Sequence, residues 1–184
     1  MKFAAFHAGQ VIEAGPVDVT TDEVLAFARA HDPQWFHTDA DAAGRGRFAG
    51  LIASGWHTCA IAMRLVVDAA LHDSESFASP GLRSLRWPHP VRPGDTLRLR
   101  VEVLEARVSS RRPTLGVLRW RWRLFNQHGV EVLDLEATSL FDLSSTAGVR
   151  PTSGNEPGDT YLAATTDTPP GTASAARCPW SSME

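Results

Sequence analysis

Cysteine is nearly missing from this 184-residue chain: Cys59 and Cys178 stand far apart, with no CxxC spacing. That argues against a disulfide framework or a thiolate zinc site and points to a cytoplasmic setting. The N-terminal stretch Met1–Gly9 has one lysine and no long apolar run, so no signal peptide is expected. No segment approaches the roughly 18 consecutive apolar residues of a membrane span, so no membrane partner is expected either. An excess of one charge is lacking: 18 basic against 21 acidic residues leave a net −3, which speaks against nucleic acid as a partner. Lys2 is the only lysine, a bias of composition without functional meaning. No HExxH arrangement exists, and His7, His72, His89 and His128 have no partner at ligand spacing, so no metal is expected. A Gly-x-Ser-x-Gly elbow and a phosphate-binding glycine loop are absent as well.

What is present suffices for one domain, since hydrophobic residues make up 43% of the chain. The composition changes near residue 143. From Ser144 to Glu184 more than half the positions are Ser, Thr, Gly or Pro. Residues 144–184 therefore read as an irregular tail, disordered or draped over the body, with Trp180 as its large anchor. The working domain spans residues 5–143.

Within it, Thr20-x-x-Glu23 is a capping box, and Val24, Phe27 and Ala28 follow at helical spacing, predicting a helix over 21–31 that Pro33 ends. A second helix is expected from Gly55 to Leu71. Ile61, Leu65, Val66, Ala69 and Ala70 form its apolar stripe, and Cys59, Ala60 and Ala62 leave little polar surface, so it reads as buried. The period then switches to two. Leu97, Leu99, Val101 and Val103 alternate with polar residues over Thr96–Leu104, as do Leu118, Trp120, Trp122 and Leu124 over Val117–Leu124. Asn126-Gln127-His128-Gly129 reads as a hairpin connection into a strand over Val130–Phe141. Leu82–Trp87 and part of Gln10–Val19 are weaker strand candidates. The fold class is α+β: a curved antiparallel sheet wrapped around a central helix.

Chemistry concentrates in His31-Asp32-Pro33-Gln34-Trp35-Phe36-His37-Thr38-Asp39, a loop just past a helix end. Asp32 and His37 are five residues apart across a proline-stiffened turn that can aim both into one pocket. A carboxylate and an imidazole suit the addition or removal of water, one group moving the water proton and the other the proton at carbon. The plain alternative is a turn residue and an exposed histidine. Downstream, Ser54-Gly55-Trp56-His57 opens the second helix, whose free N–H groups suit a developing oxyanion, and glycine lets a carbonyl approach the backbone. The plain alternative there is that Ser54 caps the helix and Gly55 packs tightly.

Together these windows resemble the MaoC-like dehydratases, the (R)-specific enoyl-CoA hydratase group with the hot-dog fold. That family carries an Asp-x-Asn-Pro-x-His-x-Asp element and, some twenty residues on, a His-Gly opening the central helix. Asp32 to Asp39 and Ser54-Gly55 correspond. Pro90-Val91-Arg92-Pro93-Gly94-Asp95-Thr96-Leu97 is similar to the family's entry into the long strands. The resemblance spans residues 8–142. It implies a single hot-dog domain, Asp32 and His37 as the acid/base pair, and the Gly55 amide as oxyanion donor. The implied reaction is reversible syn addition of water to a 2-enoyl thioester, giving a (3R)-hydroxyacyl product without metal or cofactor. It further implies an acyl-CoA or other acyl-thioester substrate, with active sites near a homodimer interface. The sequence departs from the pattern at Gln34-Trp35, at Ser54 in place of histidine, and at Ala60 in place of a serine. An acyl-thioester hydrolase on the same fold and a non-enzymatic acyl-thioester-binding subunit stand as alternatives.

Other candidates for substrate contact are Trp35 and Trp56, which could fill acyl space, His57, and Arg45 and Arg47 as phosphate ligands between the two windows. The row Arg119, Arg121 and Arg123, with Arg98 and Arg100, reads as a solvated sheet face paired with Glu102 and Glu131. Trp120 and Trp122 read as core or interface. An isolated domain of this kind leaves a sheet edge and apolar surface open, so a homodimer or higher homo-oligomer is expected, with sheets joined edge to edge.

Overall fold

The computed structural model describes residues 1–144. The tail expected over 144–184, with Cys178 and Trp180, lies outside the described residues apart from Ser144. After a 3-10 turn at Phe3–Ala5, the chain forms β1 (Val11–Asp18), α1 (Thr21–His31), the single-turn α2 (Trp35–Thr38), α3 (Ala40–Arg45) and α4 (Gly55–Val66). A π-helical turn, Val67–Leu71, extends α4, and β2 (Ser76–Arg86), β3 (Thr96–Val108), β4 (Leu115–Phe125) and β5 (Glu131–Asp142) follow. The strands make one antiparallel sheet of five in the order β1-β3-β4-β5-β2. No helix among the described residues is long and apolar enough to cross a membrane.

The period-two alternation sets the inner face. Leu99 opposes Leu124, Val101 opposes Trp122, and Val103 opposes Trp120 across β3 and β4. On β5, Leu135 and Ala137 continue these rows. All are buried, and Ala62, Val66 and Ala70 of the helix pack into the same core. Trp120 and Trp122 are thus core residues, meeting edge to face at 5.3 Å.

The outer face carries the arginines, and Arg100, Arg119, Arg121 and Arg123 are paired. Arg121 holds Asp134 bidentately, Nε to Oδ1 at 2.7 Å and Nη2 to Oδ2 at 2.9 Å, and Arg86 adds a bond to Oδ2 at 2.7 Å. Arg123 lies 3.8 Å from Glu131, Arg119 lies 3.5 Å from Glu136, and Arg100 lies 2.8 Å from Glu13. The expected row is therefore there in part: Glu131 is a partner as expected, Asp134, Glu136 and Glu13 join it, and among the described residues no ion pair is formed by the expected partner Glu102.

Two expectations need correction. The window His31–Asp39, expected as loop, contains the single turn of α2, and α3 follows it, started by the Asp39 side chain, which accepts the Ala42 N–H at 2.9 Å. Helix α4 is not buried all round. His57, Thr58, Ala62 and Val66 face the core, while Trp56, Ala60, Met63 and Arg64 are exposed.

Candidate active site

The site is assembled from the end of α1, α2, the start of α4 and the connection between β2 and β3. Helix α1 begins with the expected capping box: Thr20 Oγ1 accepts the Glu23 N–H at 3.2 Å, and Glu23 Oε2 accepts the Thr20 N–H at 3.0 Å. It stops at Asp32, whose N–H still bonds Ala28 O at 2.8 Å, because the residue before Pro33 is driven out of helical geometry. The single turn of α2 then rotates His37 inward, where it is buried.

His37 is oriented by Ile52, whose carbonyl lies 2.8 Å from Nδ1. A carbonyl only accepts, so Nδ1 carries a proton and Nε2 is the ring nitrogen left to face Asp32. That nitrogen lies 3.4 Å from Asp32 Oδ2. Asp32 is held at both oxygens: Ser54 Oγ donates to Oδ2 at 2.6 Å and Gln34 Nε2 to Oδ1 at 2.8 Å. The Ser54 bond, then that of Gln34, hold the carboxyl below its ordinary range; partial burial opposes them and His37 assists. An ionised carboxylate and an imidazole lone pair are both acceptors. At 3.4 Å they leave no room between them, but a proton donor such as a water lying beside the pair can bond to both.

Gly55 is the first residue of α4, so its N–H has no intrahelical partner. Its α-carbon is covered by the Trp87 indole: a Cβ there would come within 2.6 Å of the ring. Trp87 Nε1 donates to Gly55 O at 2.9 Å. The glycine is thus required by a tryptophan of the same chain. Ala53 donates its N–H to Val91 O at 2.8 Å, stapling the approach to α4 against the β2–β3 connection.

A cavity of about 390 Å³ opens here, lined by Asp32, Gln34 and His37 at its polar end, by Phe48, Ile52, Trp56 and Thr58, and by Trp87 to Val91 opposite. Of the residues singled out from the sequence, it brings together Asp32, His37, Gly55 and Trp56. Ser54 lies behind the cavity, buried, with its hydroxyl on Asp32. His57 is turned inward, stacked on Phe27 at 4.7 Å, and burial holds it below the ordinary histidine range, with Glu23 opposing. Trp35 is outside the lining, packed over Gly46 and edge-on to Phe36 at 5.4 Å. Arg45 and Arg47 are exposed and do not line the cavity. Gln34 and the Trp87–Val91 wall were missed as site elements. Gln34 sits inside the window already singled out, whereas the wall carries no chemical motif.

A model of the MaoC-like domain matches residues 3–117. The chain is 34% identical over 140 residues to the uncharacterised protein YdeM of Bacillus subtilis, covering 76% of this chain and 98% of that one. It is 35% identical over 97 residues to 3-hydroxyacyl-thioester dehydratase Z of Mycobacterium tuberculosis, covering 52% of this chain and 64% of that one. The crystal structure of a MaoC-like dehydratase from Rhodospirillum rubrum superposes with a TM-score of 0.70 at 35% identity, covering 76% of this chain and 94% of that chain.

Proposed function

The chain belongs to the MaoC-like family of hot-dog dehydratases and hydratases, and we propose that it reversibly hydrates a 2-enoyl thioester to a (3R)-hydroxyacyl thioester. The observation that carries this reading is the 3.4 Å approach of His37 Nε2 to an Asp32 carboxylate, beside the free N–H end of α4. A water donating to both acceptors is held for attack at Cβ. His37 takes a water proton as the oxygen adds, and Asp32 stabilises the imidazolium that forms. The thioester carbonyl oxygen, charged in the enolate, lies at the Gly55 N–H. The imidazolium then delivers its proton to Cα. Water's hydroxyl ends on Cβ and its proton on Cα, on the same face, because one side of the cavity supplies both. The acyl chain runs along the apolar wall of Phe48, Ile52 and Trp87.

The working unit in this reading is a homodimer. Strand β2 is an edge of the sheet. Phe77 and Leu82 on it, Trp87 after it, and Trp56 and Met63 on α4 are large exposed apolar residues. Trp56 meets Trp87 at 5.7 Å, which joins the two elements into one patch. A second copy related by a two-fold axis covers it with the same surface.

The test is loss of enoyl absorbance with a short-to-medium 2-enoyl-CoA panel, with chiral analysis of product. Wild type is expected to give (3R) product, and Asp32→Asn and His37→Ala to lose about 10²–10⁴-fold each. Free thiol without hydration would replace this reading with a thioester hydrolase. Ligand binding without turnover would replace it with an acyl-thioester-binding subunit.

A further inference from the structure

Ser54 lies 22 positions after Asp32 and is buried, 1% exposed. Its oxygen has two occupations. It accepts the Trp56 N–H at 3.2 Å, capping α4, and it donates its single proton to Asp32 Oδ2 at 2.6 Å. With that proton committed, the hydroxyl has none left to offer a substrate. Its place is fixed further by Thr58, whose N–H and hydroxyl reach Ser54 O at 3.0 Å and 3.3 Å. Asp32 itself stands on an irregular backbone, φ −150° and ψ 69°, at the end of α1. Its other hydrogen-bond donor, Gln34, is exposed.

We propose that Ser54 is a positioning residue: its hydroxyl sets the direction of the Asp32 carboxylate and ties it to the helix end that offers the Gly55 N–H. The carboxylate, His37 and the oxyanion position are then held in one frame, with α4 as the reference. This rests on the hydratase reading for its effect on turnover, but not for its effect on Asp32 itself. A donor to the ionised form favours that form, so the hydroxyl's loss moves Asp32 titration to higher pH.

The experiment compares wild type with Ser54→Ala, Ser54→Gly and Ser54→Thr. Glycine is well tolerated at an N-cap, so Ser54→Gly deletes the hydroxyl while preserving the helix start if the alanine variant fails to fold. The carboxyl ¹³C signal of Asp32 is titrated without substrate. It is expected to shift to higher pH in the Ala and Gly variants and to return in Ser54→Thr. With an enoyl thioester, kcat is expected to fall up to about 10²-fold with little change in KM. An Asp32 signal that titrates at the wild-type position in a folded Ala or Gly variant overturns the proposal. A raised KM at unchanged kcat also overturns it, since the hydroxyl would then be touching substrate. If wild type has no hydratase activity, the reading of function fails while the substrate-free titration still decides the role of Ser54.

Discussion

The Trp87 indole lies across Gly55, close enough that a methyl group on the α-carbon would come within 2.6 Å of the ring, and it is pinned there by the bond from Nε1 to Gly55 O at 2.9 Å. Gly55→Ala is expected to cost about 1–3 kcal/mol, the usual penalty for overpacking. In a Trp87→Ala background the sign should reverse to a gain of about 0.4–1 kcal/mol, because the backbone of Gly55 has no positive φ to forbid alanine. A urea-unfolding double-mutant cycle measures the coupling, and additive effects would refute the contact.

Acid is expected to weaken the outer face of the sheet. Arg121 foremost, then Arg86, lowers the Asp134 carboxyl to about 2, while partial burial opposes them. The group is depressed in the folded state, so the unfolded chain binds the proton first. Its contribution is complete above the unfolded value near 3.8 and is lost as pH falls through about 2. The amount is about 2 kcal/mol by linkage. Asp134→Asn should flatten the pH dependence of unfolding free energy between pH 4 and 2. An unchanged slope would show that the pair contributes nothing there.

Assembly through β2 predicts a selective mutational response. Pro80 on β2 has no N–H to give a backbone ladder with a second copy, so the apolar side chains carry the contact. Phe77→Asp or Leu82→Arg should convert the dimer to monomer in sedimentation velocity. Val11→Asp, on β1 at the opposite edge, should leave it assembled. A monomeric wild type, or dissociation by Val11→Asp instead, would contradict the assignment.

The fold was legible because its elements are long and periodic. The Leu97–Val103 and Leu118–Leu124 alternations each state a buried face outright, and Thr20-x-x-Glu23 marks the start of α1. The segment 35–45 was not legible, since helices of four and six residues hold too little sequence to show a period. The apolar character of α4 was visible but overstated the burial in one chain, where Trp56 and Met63 stay exposed. At the site, Asp32 and His37 stood out because they are near each other in sequence. The Ser54–Asp32 bond spans 22 positions, and nothing local distinguishes an N-cap serine that also donates to a distant carboxylate. The wall from Trp87 to Val91 contributes shape and the Trp87 bond to Gly55 O, and neither leaves a motif.

That wall also separates two kinds of change. The proton-moving groups come from residues 32–37, whereas the opposing surface comes from the link between β2 and β3, and two bonds fasten the halves, Ala53 N–H to Val91 O at 2.8 Å and Trp87 Nε1 to Gly55 O at 2.9 Å. A designer can therefore recut residues 88–90 to admit a bulkier or branched acyl group, as one reshapes a mould, keeping Trp87 and Val91 as the rivets. The chemistry travels unchanged with the other half.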